Sequence, residues 1–259
     1  MLARSGITTS NTNSDVKTPY SYINYGTSAA PKGAYYYEQS SNFQVVSDLL
    51  LTYKKTFLKN FSATVSAGAS SRYSQYKNAF AGTNGGLTIP KAYNIKNSIN
   101  PLSTGGSDPD VGNSLYERQV NSVFGYADIG YKNMVYLNIT GRNDWTSTLQ
   151  KPYNSFFYPS VSLSVIGSQI LKMPEFISFW KLRGSYANIS SDVDPYYTIP
   201  VYQSDVSWNG SPSVNLPGTI ITPDIHPRTT ISYEYGTELR FLKNRAGIDF
   251  TYFSYLEKN

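Results

Sequence analysis

From Phe157 to Val165 the chain changes character at every residue. Phe157, Pro159, Val161, Leu163 and Val165 alternate with Tyr158, Ser160, Ser162 and Ser164. Successive side chains of a strand point to opposite sides, so strict alternation gives one apolar face and one hydroxyl face. Thr229 to Phe241 repeats the pattern: Ile231, Tyr233, Tyr235, Leu239 and Phe241 oppose Ser232, Glu234, Gly236, Glu238 and Arg240. Ala246 to Tyr255 sets Ile248, Phe250 and Tyr252 against Asp249 and Thr251. A chain patterned this way is committed to sheet.

Short links join these segments into antiparallel pairs. Leu242 to Arg245 joins the last two. Lys132-Asn133 joins Ser122–Tyr131 to Met134–Arg142, and Lys54 to Asn60 joins Phe43–Tyr53 to Phe61–Tyr73. Trp180 to Ala187 follows the Phe157 strand through a link with a helical turn near Ser168–Leu171. The expectation is all-β: about eight strands in four hairpins.

Between hairpins the connections are of another kind. They run roughly from Gln75 to Glu117, Asn143 to Phe156 and Asn188 to Arg228, rich in Ser, Gly, Asn, Asp and Pro. Two such stretches without structure are rare in a compact soluble domain. Short turns alternating with long loops, on strands apolar outside and polar inside, are the pattern of a transmembrane β-barrel. The 24 tyrosines fit that setting. Tyr131, Tyr136, Tyr158, Tyr233 and Tyr255 fall near strand ends, where an amphipathic ring suits the lipid headgroup layer. The alternative is a soluble secreted or surface β-sheet protein that binds glycans, which would also alternate.

Much chemistry is excluded. With no cysteine there is no disulfide framework, thiol chemistry or cysteine zinc site, and with His226 the sole histidine no multi-histidine metal site forms within one chain. The +5 net charge comes from scattered Lys and Arg rather than a dense basic run, so nucleic acid is not an expected partner. No apolar run reaches the length of a transmembrane helix, and the start has no signal-peptide core. Ser107-Asp108-Pro109-Asp110 and Ser191-Asp192-Val193-Asp194 each hold two carboxylates, which calcium favours, but neither completes a loop motif; turn chemistry is the expectation, with no metal or other cofactor. Glu234 and Glu238, about 13 Å apart along a strand, are too distant for a glycosidase pair, so no enzyme is expected.

Four strings narrow the class. Arg142-Asn143-Asp144-Trp145-Thr146-Ser147-Thr148-Leu149 resembles the arginine-x-aspartate-x-serine-serine segment of the SusC/RagA-type TonB-linked outer-membrane receptors. Phe157 to Ser164 is similar to their phenylalanine-proline-serine-valine-serine strand, and Trp180 to Ala187 to their lysine-leucine-arginine-x-serine-tyrosine strand. Ile225 to Glu234 resembles their proline-glutamate-x-threonine-x-x-tyrosine-glutamate, with Arg228 in place of the glutamate. The four occur in the family's order over Val120 to Tyr255, weakly extended back to Phe43.

The resemblance implies a segment of a barrel of about 22 strands. Residues 1–42 then read as an extracellular-loop-like polar segment, and 43–259 as a partial receptor barrel without plug, TonB-binding segment, export signal or terminal strand. The family imports oligosaccharides, and sometimes peptides, through the outer membrane. A SusD-like surface lipoprotein caps the barrel, and the TonB complex pulls on the plug. Arg142, Lys181, Arg183, Glu234, Glu238, Arg240 and Asp249 lie opposite the apolar faces and are expected to line the lumen, since Lys or Arg facing lipid costs roughly 2–4 kcal/mol. Tyr196, Tyr197, Tyr202 and Trp208, on the last long loop, are expected to contact ligand or lid.

Overall fold

A computed structural model of the chain describes residues 1–21, 32–57, 60–104, 110–199, 202–209, 211–216, 218 and 224–258, the side chains of 203–208 and 212 excepted. In chain order the strands are β1 (Leu2–Thr18), β2 (Ala34–Phe57), β3 (Phe61–Gly82), β4 (Asn84–Leu87), β5 (Ser98–Asn100), β6 (Val111–Tyr131), β7 (Val135–Thr146), β8 (Ser155–Ile166), β9 (Ile177–Ser191), β10 (Gln203–Trp208), β11 (Ser211–Asn215), β12 (Arg228–Phe241) and β13 (Ala246–Lys258). A helical turn, α1 (Gly167–Ile170), links β8 to β9.

Nine strands form one antiparallel sheet in the order β1-β2-β3-β6-β7-β8-β9-β12-β13. The eight expected strands are all in it. β4 with β5, and β10 with β11, make two small hairpins in the long connections. Among the described residues β1 and β13 are edges, unpaired with each other.

Cross-strand partners share a face, so the registers carry one parity through the whole sheet. Val65 pairs with Ala127, Ala127 with Ile139, Ile139 with Val161, Val161 with Tyr186, Tyr186 with Tyr233. Among the described residues nothing packs against this apolar face. Leu51, Val65, Ile139, Phe157 and Leu163 are all exposed, and among the described residues the buried hydrophobics are only Leu87, Val120 and Leu149. An apolar face of this size without a core is built for another solvent.

The band has edges. Near the short turns Phe61 packs on Tyr131 with ring centroids 4.5 Å apart, Lys132 lies over Tyr131 and Lys55 over Phe57. Further up, the same face turns polar where Ser47, Ser71 and Asn121 stand in register; Ser71 donates to Asn121 and Gln119 to Ser71, both at 2.9 Å. From Phe61 to Ser71, at about 3.4 Å per residue and a tilt of about 40°, the height is about 26 Å, close to the roughly 25 Å lipid-facing band of an outer-membrane barrel. No described helix is long and apolar enough to cross a membrane, which leaves crossing by strands untouched.

Three features differ from the sequence reading. β1 occupies part of the polar 1–42 segment, pairing from Leu2↔Leu50 to Thr18↔Ala34. β2, β3 and β6 run to 24, 22 and 21 residues, so both ends of the Gln75–Glu117 connection are strand. The upper parts of these strands stand above the apolar band with water on both faces, so nothing drives alternation there. Tyr136, Tyr158 and Tyr255 face away from the headgroup girdle, on the polar side shared with Ser164, Arg142 and Ser232.

Candidate functional site: the polar face of the sheet

Register places all seven of the expected charged residues on the face opposite the apolar band. Arg142 stands between Phe124 and Tyr158. Lys181 pairs with Glu238 and Glu238 with Asp249; Arg183 pairs with Gly236, Glu234 with Ser185, and Arg240 with Phe179. The structure divides them into two groups.

The first centres on Arg142. Its Nε donates to Asp144 at 2.7 Å and its Nη2 to Ser122 at 2.6 Å, while the Tyr158 hydroxyl donates to the same Asp144. Gly68 makes this possible. A Cβ there would lie 2.5 Å from the Phe124 ring, so the glycine leaves space for that ring, and the Arg142 guanidinium rests 5.6 Å from its centroid. The row continues sideways through Ser122, Ser70 and Asp48 to Arg4, with Ser70 donating to Asp48 at 2.6 Å and Arg4 at 2.8 Å. The sequence points to Arg142 and Asp144 through their motif, but not to Asp48 or Arg4, which lie far away along the chain.

The second group lies nearer the short turns. Arg183 Nη2 donates to Asp249 at 2.7 Å and also to the Thr251 hydroxyl, with Glu234 at 3.8 Å. Arg240 pairs with Glu238 at 2.7 Å and lies over Phe179. Glu234 and Glu238 are therefore matched to different arginines and do not converge on one reacting bond.

Toward the long connections the polar face holds a cleft of about 620 Å³, lined among others by Asn42, Gln44, Tyr76, Tyr116, Arg118 and Asp194. Tyr76 stacks on Tyr116 with centroids 6.1 Å apart, and Tyr116 meets Tyr196 at 6.2 Å. Tyr196 is thus brought onto the sheet from its loop, with φ at 65°, a left-handed conformation uncommon for a bulky residue. Tyr197 and Tyr202 are exposed without a ring partner among the described contacts. Trp208 ends β10, and its side chain lies outside the described residues.

The segment bearing Tyr196 is tied down by Asp192. Arg118 pairs with one carboxylate oxygen; Thr146 and Thr148 donate to the other, Thr148 at 2.9 Å. Asp192 is buried here, with 6% side-chain exposure, and both its oxygens accept from protein donors. Ser107, Asp108 and Pro109 lie outside the described residues; Asp110 accepts from Asn84 at 2.6 Å and from the Ser103 amide at 2.7 Å. No group of three or more metal-ligating side chains occurs among the described residues. His226 packs against Tyr153, ring centroids 3.9 Å apart, with Asp224 3.6 Å from its Nε2. Asp224 also accepts from Tyr153 and pushes that phenol's pKa up. Sequence reasoning missed Tyr76, Tyr116 and Arg118 because they stand where both strand faces are polar.

Residues 3–259 match the family described as TonB dependent receptor-like, beta-barrel. A Formosa agariphila protein named TonB-dependent receptor P3 is 25% identical over 225 residues, 84% of this chain and 22% of that protein. A structure of the RagAB peptide transporter superposes with a TM-score of 0.79 at 17% identity, covering 98% of this chain and 28% of that one. A second, of the RagAB peptide importer in its closed-closed state, gives 0.77 at 17% identity, over 97% of this chain and 27% of that one. This chain spans about a quarter of the length of each of these three proteins. At such identities the solved structures establish the fold.

Proposed function

The chain belongs to the TonB-dependent receptor-like β-barrel family of outer-membrane proteins, and from that premise we propose that it forms part of the wall of a TonB-dependent nutrient importer. The cargo is an oligosaccharide or a peptide; the matched RagAB is a peptide transporter by name. The short-turn end faces the periplasm and the long connections face outward, as in outer-membrane barrels generally. A SusD-like surface lipoprotein works at the outer end, and the TonB complex acts through a plug inside the barrel.

One observation carries this. A single parity runs through eight strand pairings, setting an unpacked apolar band on one face and every expected charged residue on the other. A soluble glycan-binding sheet has no use for such a band. In the importer Arg142, Lys181, Arg183, Glu234, Glu238, Arg240 and Asp249 line the lumen. The group around Arg183 faces the plug, and Tyr196, Tyr197, Tyr202 and Trp208 serve ligand or lid. The wall works by binding and gating; it does no covalent chemistry.

The test is growth. A strain lacking the gene for this polypeptide, offered a panel of oligosaccharides and peptides as sole nutrients, should fail on at least one. Restoring the gene should restore growth, and collapsing the proton gradient should abolish uptake. Unchanged growth on every nutrient would sink the importer reading.

A further inference from the structure

We propose that the cleft between β2, β3, β6 and the Asp192–Tyr196 segment is a binding subsite for a ligand that carries a protonated amine beside a flat apolar face. The proposal rests on the importer reading for its setting but not for its chemistry. A volume of about 620 Å³ is that of a small-ligand site, apolar wall with a few placed polar groups.

The wall consists of rings. Tyr76, Tyr116 and Tyr196 form a run with successive centroids 6.1 and 6.2 Å apart, and Tyr116 and Tyr196 are exposed. A ladder of exposed rings recognises a flat, weakly polar surface, and its π faces also attract cations. Asn42 and Gln44, with no side-chain hydrogen bond among the described residues, add amides able both to donate and to accept.

Charge sets the class. Two ionised groups line the cleft, Arg118 and Asp194. Arg118 is already neutralised by the buried Asp192. Asp194, two residues on, is exposed at the cleft, and its carboxylate has no ion pair or hydrogen bond among the described residues. The cleft is therefore left with one unneutralised negative charge beside an aromatic wall, which favours a cation and opposes an anion. The amine can belong to a peptide's amino end or basic side chain, or to an amino sugar.

The site depends on a fixed loop. Asp192, held by Arg118, Thr146 and Thr148, anchors the segment that brings both Asp194 and Tyr196 to the sheet. Asp192 is thus a positioning residue, whereas Asp194 meets the amine itself.

The test is calorimetric titration of the whole polypeptide that carries these residues, purified in detergent. The probes are the tripeptide Lys-Tyr-Lys, a glucosamine trimer, and the fully N-acetylated form of each. At least one amine probe should bind, and its acetylated form should bind about tenfold more weakly, the scale of losing a charged hydrogen bond. Asp194→Asn should reproduce that loss without affecting the acetylated probe, and Tyr116→Ala should weaken both. Asp194 is exposed and unpartnered, so its replacement leaves folding intact. Preference for the peptide or the sugar identifies the source of the amine. Equal binding of amine and acetylated probes, no binding by any probe, or an Asp194→Asn protein that binds like the parent would overturn the proposal. Nutrient-dependent growth that persists alongside such a result would leave the importer reading standing.

Discussion

Arg183 and Asp249 belong to strands that are not neighbours, yet their side chains meet at 2.7 Å across the intervening β12. The residue beneath the crossing is Gly236, paired with Arg183 on one side and Thr251 on the other. A Cβ at this position would stand 2.4 Å from the Arg183 Nε. The glycine is thus a groove for the guanidinium. Gly236→Val should displace Arg183 and abolish its coupling to Asp249. A double-mutant cycle of Arg183→Ala and Asp249→Ala, run with and without the valine, checks this; equal coupling in both backgrounds would show that the crossing does not depend on the groove.

Neighbouring residues on β7 should respond unequally to the same change. Ile139 faces the middle of the apolar band; Asn138 faces the polar side and donates to Asp128 at 2.6 Å. Ile139→Arg should destabilise the membrane-inserted protein by about 2–4 kcal/mol. Asn138→Arg should be close to neutral, since it meets a carboxylate. Equilibrium unfolding from lipid vesicles measures both.

Asp192→Ala should loosen the outer segment while sparing the barrel wall. It removes the acceptor shared by Arg118, Thr146 and Thr148. Left unsatisfied, these donors should lower the local opening free energy by about 2 kcal/mol. Native-state hydrogen exchange should show faster exchange over 192–199 and at the ends of β6 and β7, with the residues of the apolar band unchanged.

A pH window follows from the rungs just above the band. Glu117 accepts from Tyr73 at 2.6 Å and from Gln75 at 2.7 Å, which holds its carboxyl below the ordinary value, the Tyr73 bond being the larger cause. The same bond raises the Tyr73 phenol. A lowered carboxyl stabilises the fold above its unfolded pKa of about 4.3, and the effect fades as pH falls through the folded pKa. A raised phenol stabilises below its unfolded pKa of about 10, and the effect fades as pH rises through the folded one. The β3–β6 pairing at Gln75↔Glu117 should therefore be tightest from mildly acidic to mildly alkaline pH. Absorbance titration should place Tyr73 above a free tyrosine, and Glu117→Gln should return it toward the ordinary value.

How much of this could be read from the chain depended on what lay on each side of a strand. Where lipid faces one side and water the other, as at Phe157–Val165, alternation is forced and the strand is visible. Where water faces both, as along Gly6–Thr18 or Gln75–Gly82, Ser, Thr, Asn and Tyr serve either face and the strand resembles a loop. The cleft residues Tyr76, Tyr116 and Arg118 lie in that invisible half. Parity placed Arg183 and Asp249 on one face, but their meeting depends on Gly236 and on a register that sequence does not express. Asp192 could be seen as a turn carboxylate; its partner Arg118 is 74 residues away.

The unequal strand lengths also give the wall a profile. β6 continues through Val111–Gln119 beyond its pairing with β7, so the sheet drops by about 30 Å of strand from one neighbour to the next. The rim is cut like the lip of a jug. In the importer proposed above, a molecule arriving from outside would meet the tall blade of β1, β2, β3 and β6 before the level of Arg142, with Tyr116 on the way. On that reading the order of contacts along this part of the wall would be set by its outline before any part of it moves.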